Sequence, residues 1–271
     1  MHLDLLQSIS LAGNPAVAND DRLGAVSRHA WVIDGATDLG PPGLLGSQGG
    51  AAWLANQAQA GFTAAEGGIA TIFAAVGERL IAAWHAERTR EPEGRWEMPL
   101  ASAIAVRIEG ERLECGWLGD CAALLRRGNT TQRLGPVSDR AYEVAKAAGL
   151  AQHGLGNVKR SAPILAELRA SRGRPESRVL SVDPAHMVVE TSAHDCTPGD
   201  ELLLMTDGFA TLLDDYALYD PAALMAAVDA RGLADLATEL RAVEQADIAC
   251  ERYPRFKISD DATALWLRIG G

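Results

Sequence analysis

The stretch Pro198-Gly-Asp-Glu-Leu-Leu-Leu-Met-Thr-Asp-Gly208 governs how the rest of the chain is read. Residues 201–206 form a short apolar run that reads as a fully buried strand. Gly199-Asp200 bounds it on one side and Asp207-Gly208 on the other. A buried run that stops at a carboxylate and a glycine leaves a negative charge at the rim of a core. Such a charge is unfavourable unless it is paired or bound to a cation. Three further segments share the pattern: Ala30-Trp-Val-Ile-Asp34-Gly35, Trp117-Leu-Gly-Asp120, and Ser259-Asp260-Asp261 leading into the apolar residues 262–267. Asp20-Asp21 adds an acidic pair near the start.

Singly, each site has an ordinary explanation. Asp-Gly is a common turn dipeptide, and paired aspartates cap helices or lie in solvated loops. Jointly, they read as carboxylates that converge on hard divalent cations. Carboxylate, carbonyl and water ligands suit Mg2+ or Mn2+. Zinc fits less well, because no His or Cys stands at ligand spacing. The sequence has no G-x-S-x-G, P-loop or G-x-G-x-x-G motif.

The remaining pattern alternates sheet and helix signals. Residues 3–12 and 29–34 read as strands, and residues 49–64 and 69–85 as helices. In the second helix Ile69, Ile72, Phe73, Val76, Leu80 and Trp84 share one face. The period changes to two at Ile104, Val106 and Ile108, and again at Leu113, Cys115 and Trp117. With residues 121–127, these strands are expected to form one antiparallel meander. Glycines at 149, 154, 156 and 173 make residues 136–176 a loose flap, with helices at 142–150 and 163–171. Strands are expected at 178–182, 186–191 and 262–269, and two helices at 221–249 that break near Gly232. Paired helices between runs of antiparallel strands suggest two sheets covered by helices. No linker or repeat stands out, so residues 1–271 are expected to form a single domain.

Composition narrows the partners. The 271 residues carry a formal charge of −11 and a pI near 5.0. Nucleic-acid binding needs clustered Lys and Arg, so no nucleic-acid partner is expected. At 48% hydrophobic residues the chain has ample core material. The four cysteines form no C-x-x-C pair and read as free thiols of a reducing compartment. The start, Met1-His-Leu-Asp-Leu, lacks a signal-peptide pattern, and no uninterrupted apolar run reaches bilayer length. A cytoplasmic protein with no membrane partner is the expectation.

The order Asp21, Asp34-Gly35, Gly119-Asp120, residues 198–208, and Asp260-Asp-Ala-Thr263 resembles the metal-dependent serine/threonine protein phosphatases of the type 2C class, bacterial members included. Val179-Leu-Ser-Val-Asp-Pro184 also looks like that family, and the resemblance runs from about residue 10 to 269. It implies an α+β fold, a four-layer α/β/β/α sandwich of two mainly antiparallel sheets flanked by helices. It also implies two Mg2+ or Mn2+ ions, with a third, weaker site, and a phosphoprotein substrate. Carried over by position, Asp34, Asp207 and Asp260 look like the main side-chain ligands, and Gly35 offers a carbonyl. Asp21, with its neighbour Asp20, would act through metal-bound water, and Asp120 would serve the third ion. On this resemblance Asp21, Asp34, Asp207 and Asp260 carry catalysis, with a metal-bridging hydroxide attacking phosphorus.

The chain departs from the family at three positions. Ala16 stands where an arginine usually grips the substrate phosphate, Ala36 replaces a His or Met, and Asp261 replaces an asparagine. Arg22 or Arg28 is the candidate substitute for the phosphate clamp. The expected activity is hydrolysis of phosphoserine and phosphothreonine. The alternatives are a non-catalytic binding module and a phosphatase of small metabolites.

Overall fold

In the computed structural model, the described residues are 1–47, 49–137, 140–150, 153–155, 161–174 and 176–271. The run quoted above becomes strand β10 (Glu201–Met205), buried along its whole length. Successive side chains of a strand point to opposite faces. Leu202 and Leu204 join one apolar cluster and Leu203 and Met205 another. A strand buried on both faces has no polar side to alternate with, which is why its sequence is continuously apolar.

Two antiparallel sheets follow from such strands. In the first, β1 (His2–Leu11), β11 (Ala262–Gly270), β10, β6 (Ala122–Arg127) and β7 (Thr130–Leu134) lie side by side in that order. In the second, the order is β2 (Arg22–Ala25), β3 (His29–Gly35), β4 (Leu100–Glu109), β5 (Arg112–Leu118) and β9 (Glu190–Asp195), with β8 (Leu180–Ser181) paired to β4. All of these pairings are antiparallel.

Three cores separate four layers. Helices α1 (Gly50–Ala64) and α2 (Ile69–Glu87) cover the second sheet, where Trp31 and Ile33 meet Leu54, Phe62, Phe73 and Leu80. Between the sheets, Val32, Ile104 and Val106 face Leu125, Leu204 and Leu265. Helices α5 (Asp207–Asp214), α6 (Pro221–Arg231) and α7 (Leu233–Ala246) cover the first sheet, packing Phe209, Leu224 and Leu236 on Leu203 and Trp266. The expected α+β, four-layer arrangement is what the chain adopts. By length and composition α2 could cross a bilayer, but here Ile72, Phe73, Val76 and Leu80 are buried in the core beneath it.

Several local expectations need correction. The three-strand meander does not form: β4 and β5 pair, but β6 belongs to the other sheet, between β10 and β7. Gly119, at φ +79°, turns the chain from one sheet to the other, a conformation that side-chain-bearing residues avoid. A period of two identifies a strand but not its sheet. Strands β2 and β7 carry no strand signal in the sequence, since both are short edge strands with polar or glycine positions. The strand expected at 186–191 begins at Glu190, after a 3-10 turn at Pro184–His186.

Asp207 does not end a strand; it opens α5. In the flap, α3 (Arg140–Gly149) and α4 (Ala162–Arg172) are the two expected helices. The rest of that expectation, Gly156 included, falls partly on residues 138–139, 151–152, 156–160 and 175, outside the described set.

Candidate metal centre

The register of the sheets gathers the aspartates at one end. Met205 lies opposite Ala264 and Ala122. The end of β10 is thus beside the start of β11 and the start of β6, which places Asp207, Asp260 and Asp120 together. In the second sheet Asp34 lies opposite Ser102, and the Ser102 hydroxyl donates to Asp120 Oδ1 at 2.6 Å. The end of β1, Leu11, pairs with Ala262, so the loop carrying Asp20 and Asp21 leaves from the same end.

Carboxylate oxygens of Asp34, Asp120 and Asp207 lie within 4.8 Å of one another. Asp260 joins them on the wall of a cleft of about 430 Å3. Burial raises the Asp34 and Asp207 carboxyls well above the ordinary carboxylate range, and neighbouring acids raise them further. Burial likewise raises Asp21. Its Oδ2 accepts from the Thr206 hydroxyl at 2.9 Å, while its Oδ1 is buried and has no hydrogen-bond partner among the described residues. A buried orphan oxygen beside crowded carboxylates is an arrangement that a cation, or water on one, would complete. The donor set is carboxylate oxygen, which fits Mg2+ or Mn2+.

Other groups brace this centre. Asp261 accepts from the Gly13 amide at 2.8 Å through Oδ1 and from the Asp20 amide at 2.7 Å through Oδ2. It ties both ends of the loop between β1 and β2 to the start of β11 and does not line the cleft. Gly35 packs on Asp20: a Cβ there would lie 2.7 Å from the Asp20 carbonyl oxygen. Asp20 itself is half-buried behind the cleft, its pKa raised to about 6 by burial and by Asp261 and Asp38. Asp38, beyond Ala36, caps α1 through the amides of Gly50 and Ala51 at 2.7 and 3.1 Å.

The two candidate arginines are placed differently from the acids. Arg22 donates to the carbonyls of Asn19 and Asp21 at 2.8 and 2.6 Å and to Asn56 at 2.7 Å, bracing the acidic loop. Arg28 is exposed in the turn before β3. Asp34 is six positions further along the strand, roughly 20 Å away, so Arg28 stands at the wrong end for a clamp. Ala16 lies exposed on the loop after β1.

Sequence reasoning missed Lys257. Its Nζ lies 2.5 Å from Asp260 Oδ1, and it lines the cleft. Burial would lower its pKa, but Asp260, Asp34 and Asp207 hold it above the ordinary lysine value. No spacing marks it, because its contact with the acids depends on how residues 250–260 fold back. Thr206 lay within the quoted stretch, but nothing there shows a bond to a residue 185 positions away.

The family profile described as "Protein phosphatase 2C" matches residues 16–242. No curated protein matches the chain. Among solved structures, the chain is similar to the Mycobacterium tuberculosis serine/threonine phosphatase PstP/Ppp, with a TM-score of 0.61 and 17% identity over 100% of both chains. It is also similar to the catalytic domain of PstP in complex with two manganese ions, with a TM-score of 0.58 and 18% identity over 100% of this chain and 99% of that one. The phosphatase MsPP from Mycobacterium smegmatis, in complex with cacodylate, gives a TM-score of 0.55 and 18% identity over 98% and 99%. At these identities the likeness is one of fold.

Proposed function

The chain belongs to the protein phosphatase 2C family, and from that premise we propose that it is a Mg2+- or Mn2+-dependent hydrolase of phosphoserine and phosphothreonine in proteins, with residues 1–271 acting as one catalytic domain. The observation that carries the reading is the meeting of Asp34, Asp120 and Asp207, from three distant segments, within 4.8 Å. Their mutual repulsion has no evident structural use without cations.

In this reading Asp34, Asp207 and Asp260, with the Gly35 carbonyl, would hold two ions, and Asp120 and Asp207 would serve a weaker third. Bound divalent ions would supply an acidified water as nucleophile and neutralise charge on the phosphoryl oxygens. The chain's own contribution is orientation. Thr206 fixes Asp21 Oδ2, which leaves Oδ1 to accept a proton from a water. Ser102 fixes Asp120. Asp261 and Arg22 keep the Asp20-Asp21 loop against the sheets.

The test is hydrolysis of p-nitrophenyl phosphate with Mn2+, with chelator, and in Asp207→Asn. Turnover that needs Mn2+ and falls at least about a hundredfold in the variant is expected, the scale on which charge-stabilising groups act. A folded protein with no Mn2+-dependent turnover would instead support a binding module. Preference for a phosphopeptide over small phosphate esters would support the protein substrate.

A further inference from the structure

We propose that Lys257 binds the phosphoryl group of the substrate, so that the positive charge of the phosphate-binding position comes from the loop before β11. The proposal rests on the phosphatase reading above and names a residue for it.

Asp34, Asp120, Asp207 and Asp260 line the cleft, and Asp21 is buried close to Asp34 and Asp207, which makes five carboxylates. Before the weaker third ion binds, two divalent ions would offset four of those five charges, and a phosphate monoester, itself an anion, would still meet a remaining carboxylate. A fixed cation beside the acids relieves that repulsion and steers the ester to the floor of the cleft.

Among the described residues, four basic side chains line the cleft: Lys146, Arg172, Arg255 and Lys257. Lys146 pairs with Glu167 at 3.4 Å, on the flap helices. Arg255 is bound to Asp247 at 2.6 Å and to the carbonyls of Ile258, Tyr253 and Asp247, which fixes its guanidinium in the loop. Arg172 ends α4, across the cleft, and has interactions of its own. Lys257 is bonded directly to a member of the acid group.

Its geometry suits a shared role. An ammonium has three N–H donors, and the contact with Asp260 uses one of them. The Lys257 side chain is 34% exposed and lines the cleft. Asp260 Oδ1 also accepts from the Asp261 amide at 2.9 Å, so the carboxylate stays placed if the ammonium shifts toward phosphate. Both bonds arrive at Oδ1, which leaves Oδ2 as the oxygen for a cation.

The experiment is calorimetric. Mn2+ is titrated into the parent protein and into Lys257→Met and Lys257→Arg, and inorganic phosphate is then titrated into each Mn2+-loaded protein. Mn2+ affinity is expected to be undiminished in all three. Phosphate affinity should fall about tenfold or more in Lys257→Met, the loss of one charge-assisted hydrogen bond, and return largely in Lys257→Arg. Unchanged phosphate binding in Lys257→Met would overturn the proposal. So would a loss of Mn2+ affinity with phosphate binding otherwise intact, since Lys257 would then only position Asp260. A parent protein that binds no Mn2+ would sink the metal reading itself, a distinct result from either.

Discussion

Asp34 and Asp207 bring carboxylate oxygens within 4.8 Å of each other, and burial, with the neighbouring acids, raises both well above the usual carboxylate range, so without a cation the protonated form is favoured. Asp20 shows the sign of the effect. Burial, then Asp261 and Asp38, raise it from 3.8 to about 6. A group whose folded pKa lies above its unfolded pKa favours folding while protonated. That contribution is full below the unfolded value and is lost as pH rises through the folded one. Asp21, Asp34 and Asp207 are raised as well, so the loss continues toward neutral pH. A cation that binds the ionised carboxylates offsets it. The gain in Tm on adding Mn2+ should therefore grow between about pH 5 and about pH 8. Thermal unfolding with and without Mn2+ checks this, and a gain independent of pH would place the ion elsewhere.

The junction between β10 and α5 controls where Asp207 points. Thr206 lies between strand and helix, bonded to Asp21 and to the Thr263 amide. Gly208 follows in the first turn, and a Cβ there would lie 1.9 Å from the Asp261 carbonyl oxygen. Close approach of two backbones, one from α5 and one from the start of β11, is what requires glycine. Gly208→Ala should cost about 2 kcal/mol or more in unfolding free energy, on the scale of overpacking, and should weaken Mn2+ binding. Denaturant melts and Mn2+ titration read the two effects, and a variant with parent-like values in both would refute the tight junction.

This junction also shows what the sequence could and could not say. The continuous apolar run and its terminal Asp-Gly were plain in residues 198–208 because a strand buried on both faces admits no polar residue. That Asp207 opens a helix was not plain, since Asp-Gly reads equally as a turn. The partner sheet of β6 was hidden for a similar reason: Gly119 and Asp120 signal a bend, but not the sheet to which it leads.

On the scale of the whole molecule, three cores hold two sheets in register so that the ends of β3, β5 and β10 and the start of β11 share one rim. The four-layer order followed from alternating strand and helix periods together with a family resemblance. The acid set was legible because a buried apolar run rarely stops at a carboxylate without reason. Lys257 and the bracing role of Asp261 were not, because both depend on loop paths that no period encodes. The account's central claim is that this rim holds divalent ions. Anomalous scattering from crystals grown with Mn2+ tests it most directly. Manganese peaks bounded by Asp34, Asp207 and Asp260 are the expected result. A well-ordered site with no manganese there, or with manganese bound elsewhere, would contradict it.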